Sequence, residues 1–143
     1  MTSTLPAVVR RVLLVDDSDL WRRSIRSIFQ AQDLWKIVGE ASDGWDAIEQ
    51  VERLEPDLIL LDVALPQLNG IEAAGRILER THAPKILFMS AHTSPDIADA
   101  ALATGAHGYL LKGDAGGELL NAMEIVVRGK RFVSTQLAGR ILP

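Results

Sequence analysis

The sequence predicts an α/β fold built on a doubly wound parallel sheet, and three features carry that expectation. Strand-sized apolar runs alternate with helical patterns from residue 11 to about residue 128. The runs are unbroken rather than alternating, the pattern of strands buried on both faces, which places them in a parallel sheet with helices on both sides. With 143 residues the chain is long enough for five such strand–helix units around one continuous core.

The first unit is Val12–Val15 followed by a helix over about 18–30, where Leu20, Trp21, Ser24, Ile25, Ile28 and Phe29 recur at helical spacing. Ser18 or Asp19 is placed to cap its start. A second strand, Lys36–Gly39, leads to a helix over 44–54 that Pro56 terminates. The third strand, Leu58–Leu61, precedes a turn-rich loop (Pro66, Asn69, Gly70) and a helix to about Arg80. The fourth, Ile86–Met89, is followed by an alanine-rich helix over about 94–103, and the fifth, Gly108–Leu111, by a helix over about 117–128. The organisation is thus a short N-terminal extension (1–10), one domain (11–128) and a basic C-terminal tail or linker start (129–143).

Composition narrows the function classes. Hydrophobic residues make up 48% and charged residues 24%, the balance of a globular domain rather than a disordered chain. The absence of cysteine removes disulfide frameworks, thiolate zinc sites and thiol nucleophiles. Fifteen basic against nineteen acidic residues, a net charge of −4, argue against a nucleic-acid surface across the domain. The apolar runs fall far short of the roughly 20 residues of a membrane span. Residues 1–9 lack the pattern of a secretory signal, so a cytoplasmic protein is expected. GxGxxG and GxxxxGK are both missing, so no nucleotide site is expected.

In a doubly wound sheet, ligands bind beyond the carboxyl ends of the strands. The residues found there are Asp16 and Asp17 after strand one, Asp62 after strand three, Ser90 after strand four and Lys112 after strand five. Each alone is an ordinary cap, turn or solvated charge; together they converge on one edge. Three adjacent carboxylates resist joint ionisation without a counter-charge. A divalent cation of the magnesium type, with its preference for oxygen ligands and for phosphate, is the economical answer. A lysine and a hydroxyl opposite it complete a place for a phosphoryl group.

The motifs VLLVDDSD, LILLDVALPQLNG, ILFMSA and GYLLKG resemble those of bacterial response-regulator receiver domains, over residues 11 to about 128. The segment from GYLLKG through VVRGKRFVSTQLAGRIL resembles the NarL/FixJ type of transcription regulator. The resemblance implies strand order 2-1-3-4-5 and a phosphoacceptor at Asp62, charged from the phosphohistidine of a sensor histidine kinase. It implies direct magnesium ligation by Asp17 and Asp62, water-mediated ligation by Asp16, and a further ligand in the backbone carbonyl of Ala64. Ser90 and Lys112 contact phosphoryl oxygens, and Tyr109 is the aromatic switch that turns inward when the hydroxyl residue moves toward the phosphate. Such a domain is a phosphoacceptor that assists only its own phosphorylation and dephosphorylation, and not an enzyme in the wider sense. A homodimer promoted by phosphorylation is the expected assembly.

Two positions depart from the family pattern. Gly113 replaces a frequent proline, and Ala64 has no side chain to orient a hydrolytic water. His92, two residues after Ser90, is placed to compensate in part, whereas His82 and His107 read as surface or packing residues. An aspartate-nucleophile phosphohydrolase of the haloacid-dehalogenase type is the rival, through Asp17-Ser18-Asp19, but Trp21 stands where those enzymes favour Thr or Val. Too few residues follow Arg128 for a helix-turn-helix domain, so this chain is not expected to read DNA by itself. It is expected to be either a stand-alone receiver or the receiver part of a longer regulator. The tail's basic residues, Arg128, Lys130, Arg131 and Arg140, read as solvated.

Overall fold

The computed structural model describes residues 8–139. Residues 1–7 of the N-terminal extension and residues 140–143, Arg140 among them, lie outside that range. Six parallel strands form one sheet: β1 (Arg10–Val15), β2 (Trp35–Ala41), β3 (Leu58–Asp62), β4 (Lys85–Ser90), β5 (Gly108–Leu111) and β6 (Phe132–Val133), in the order 2-1-3-4-5-6. The intervening helices are α1 (Asp19–Gln30), α2 (Gly44–Leu54), α3 (Gly70–Leu78), α4 (Pro95–Leu102) and α5 (Ala115–Val127), with a 3₁₀ turn at Lys112–Asp114 and a last turn, α6 (Thr135–Ala138).

The unbroken apolar runs are explained by burial on both faces. Leu13, Val15, Ile59, Leu61, Ile86, Phe88 and Tyr109 pack with residues of α2, α3 and α4. Val12, Leu14, Leu58, Leu60, Leu87, Met89 and Leu110 pack with residues of α1 and α5. Each strand therefore feeds two cores. The helices start where short polar side chains satisfy free N–H groups: Ser18 accepts from Trp21, Asp43 from Asp46 and Asn69 from Glu72. Within the α1 stripe Ile25 and Phe29 are buried and Trp21 and Ile28 half-buried, whereas Leu20, counted with them from spacing, is 74% exposed.

A sixth strand replaces the predicted edge at β5. Phe132, Ser134 and Leu137 are buried, while Arg128, Lys130 and Arg131 just before them are exposed. A solvated basic stretch thus carries three inward residues, and Phe132 N–H and Ser134 N–H donate to the His107 and Tyr109 carbonyls. No described helix is long and apolar enough to cross a membrane.

The β3–α3 loop is held by two close backbone approaches. A Cβ on Gly70 would lie 1.9 Å from the Asp62 carbonyl oxygen, and one on Gly44 would lie 2.1 Å from that of Leu68. Gly70 N–H also donates to the Val63 carbonyl at 2.8 Å. The helix start is thereby set directly against the end of β3. Gly75, inside α3, has open space around its Cβ position. Gly70→Ala should therefore destabilise the fold by about 2 kcal/mol or more, because backbone has to move. Gly75→Ala should stabilise it by about 0.5–1 kcal/mol. Urea unfolding of both variants checks this; equal effects would remove the close-approach argument.

Candidate phosphoryl and metal site

Register brings the polar strand ends together. Val15 pairs with Leu61, Asp62 with Met89 and Ser90 with Leu111, so the residues that follow or end these strands share one rim. Asp16 is fully buried, Asp62 is 5% exposed, and Asp17 beside them is exposed. The three carboxylates each offer an oxygen, and these oxygens lie within 4.8 Å of one another. Lys112 Nζ is 2.7 Å from Asp16 Oδ2 and 3.6 Å from Asp62 Oδ2. One cation thus faces two of the three clustered carboxylates.

The charge imbalance is visible at Asp62. Burial, and next the Asp16 carboxylate, push its carboxyl up to about 6, against the opposing pull of Lys112 and of the Ala64 N–H. That N–H donates to Asp62 Oδ1 at 3.3 Å, so the loop after β3 folds back over the carboxylate. Asp16 Oδ1 accepts from the Ser18 N–H at 2.8 Å. Its Oδ2 has the Lys112 ion pair but accepts no hydrogen bond of good geometry among the described residues.

Ser90 is fully buried at the end of β4, and its Oγ accepts from the His92 N–H at 2.9 Å. Tyr109 is fully buried too, and its hydroxyl donates to the His92 carbonyl at 3.0 Å. Burial raises its phenol above the ordinary range, with the Ser90 hydroxyl opposing. The tyrosine therefore stands in the inward place. The His92 side chain is exposed while both its backbone groups are used, His82 is exposed, and the His107 ring accepts from Ile86 N–H at 3.4 Å. Sequence reasoning missed one neighbour of the site: Lys112 Nζ lies 5.1 Å from the centroid of the Trp21 ring.

A family model described as "Response regulator receiver domain" matches residues 12–124. The chain belongs to the response-regulator receiver family. It is 37% identical to the response regulator UvrY of Escherichia coli strain K12 over 91% of this chain and 60% of that protein. It is 30% identical to the transcriptional regulatory protein DegU of Brevibacillus brevis over 92% of this chain and 56% of that protein. A crystal structure of a LuxR-family two-component response regulator from Aurantimonas sp. SI85-9A1 superposes with a TM-score of 0.88 at 32% identity, covering 93% of this chain and 95% of that one. The receiver is of the NarL/FixJ type, and it spans about 60% of the length of the curated relatives it matches.

The donor set of this receiver fits an oxygen-coordinated divalent cation: three carboxylates, one buried oxygen without a hydrogen bond, and a raised Asp62. The same imbalance bears on stability. A carboxyl moved from 3.8 to about 6 binds its proton more tightly folded than unfolded. Its contribution is fully present below pH 3.8 and lost as pH rises through 6, a difference on the order of 2–3 kcal/mol. In metal-free buffer Asp62→Asn should therefore be more stable than the parent at pH 8 by about 2 kcal/mol, the gap shrinking toward zero near pH 4. Denaturant titrations at the two pH values check it; a pH-independent gap would assign the gain to packing.

Proposed function

We propose that Asp62 accepts a phosphoryl group from the phosphohistidine of a sensor histidine kinase in a magnesium-dependent reaction. The domain then signals by a change of conformation, as the receiver part of a transcription regulator. The observation that carries the reading is a buried carboxylate between two other carboxylates and a lysine at the end of β3. An Asp62 oxygen forms the P–O bond as the P–N bond to the donor histidine breaks. The departing ring nitrogen keeps the electron pair and is protonated from solvent. Asp16, Asp17, Asp62 and the backbone carbonyl of Ala64 would hold magnesium, which when bound screens the nucleophile from the phosphoryl oxygens. Lys112 neutralises one phosphoryl oxygen and the Ser90 hydroxyl donates to another.

Ser90 and Tyr109 read the result. The two are joined through the backbone of His92, so a Ser90 drawn toward a phosphoryl oxygen gives up the His92 N–H and biases the ring packed beside it. Similarity to proteins named a transcriptional regulatory protein and a response regulator supports the transcription-regulator reading. A homodimer is the form expected to act, in the cytoplasm, where the kinase's phosphohistidine is made.

Phosphoramidate with magnesium should add one hydroxylamine-labile phosphoryl group, and Asp62→Asn should abolish the addition. Full labelling of that variant would overturn the assignment. Asp17→Ala should weaken magnesium binding more than Asp16→Ala; unchanged binding in both would remove the metal from the reaction. Beryllofluoride, standing in for the phosphoryl group, should alter hydrogen exchange across residues 90–113 and raise the mass seen by light scattering. Unaltered exchange in beryllofluoride-bound protein would sink the switch.

A further inference from the structure

Trp21 sits in a closed circuit with the site. Asp16 Oδ1 accepts from Ser18 N–H at 2.8 Å, Ser18 Oγ accepts from Trp21 N–H at 3.1 Å, the Trp21 ring lies 5.1 Å from Lys112 Nζ, and Lys112 Nζ returns to Asp16 Oδ2 at 2.7 Å. The indole N–H is itself buried with no acceptor among the described residues. An orphaned buried donor is a cost that phenylalanine at this position would avoid. What tryptophan offers over phenylalanine is the larger, more electron-rich face, the best partner an ammonium finds among aromatic side chains. Leucine would fill the space without any such face.

We propose that Trp21 is a positioning residue for phosphoryl transfer, its ring face holding the Lys112 ammonium in the pocket between Asp16 and Asp62. This rests on the phosphoacceptor reading of Asp62. A lysine has four rotatable bonds and a strongly hydrated head, so an ion pair to one oxygen does not fix where its charge stands. The ring adds a further contact to the ammonium, its centroid 5.1 Å from Nζ. The ammonium is confined near Asp62, ready to meet an incoming phosphoryl oxygen without first being collected from solvent. Trp21 touches no reacting atom; it acts through Lys112.

The test compares Trp21→Phe, which keeps an aromatic face, with Trp21→Leu, which keeps apolar bulk. In metal-free protein the Lys112 Cε protons should be shifted upfield by the ring in the parent and in Trp21→Phe, and should return to the ordinary lysine position in Trp21→Leu. With phosphoramidate and magnesium, Trp21→Leu should lower the maximal phosphorylation rate about 3- to 10-fold with little change in the half-saturating phosphoramidate concentration. Trp21→Phe should stay within about 2-fold of the parent. Equal impairment of both variants, or a Trp21→Leu as fast as the parent, would overturn the proposal. If Trp21→Leu fails to fold, the parent decides alone: Lys112 protons at the ordinary position mean that no ring holds the ammonium. A parent that takes up no phosphoryl group would overturn the Asp62 reading, while the proton shifts still judge the contact.

Discussion

The dominant constraint is electrostatic: three carboxylates are gathered at one sheet edge, with a single ammonium paired to two of them. In water such a cluster would spread. Here it cannot, because each acid is attached to a strand whose register is fixed by burial on both faces, and a slip of one residue would turn apolar side chains into the wrong core. The hydrophobic cores thus hold together what charge repulsion would separate. The cost appears at Asp62, where burial first and the Asp16 carboxylate next push the carboxyl up to about 6. A group in that condition gains from any cation that enters, which is the property a switchable phosphoacceptor needs.

Much of this was legible in the sequence because the signals were local. Unbroken runs such as Leu58–Leu61 mark strands, and the residue after each run must face the same rim, so Asp16, Asp62, Ser90 and Lys112 followed from counting. The cap at Ser18 followed too, since it acts within three residues; Asp43 and Asn69 cap their helices in the same local way but were not singled out as caps. The features that escaped depend on distant parts of the chain. Leu20 has helical spacing but falls on the outer side of α1, which periodicity over one short helix does not resolve. The Trp21–Lys112 contact joins residues ninety-one positions apart by the numbering, and nothing local to either announces it. The two-residue strand Phe132–Val133 is too short for any pattern, and its basic neighbours conceal three inward residues.

Those inward residues also show how the rim is tied to the far edge of the sheet. Ser134 N–H donates to the Tyr109 carbonyl at 3.0 Å, and Ser134 Oγ accepts from the Leu111 N–H at 2.8 Å. Leu111 is the residue immediately before Lys112, and Leu137 packs in the same core as Tyr109. The strand that carries the tyrosine and leads into the lysine is therefore stitched at alternate residues to the segment that follows α5. A displacement of β5 between Tyr109 and Leu111 either carries that segment along or breaks two hydrogen bonds, one of them to a fully buried hydroxyl, at a cost of about 1 kcal/mol or more each. Moving with the strand is the less expensive course. The chemistry at one end of β5 and the start of the C-terminal segment thus share a mechanical element, and that element is four residues long.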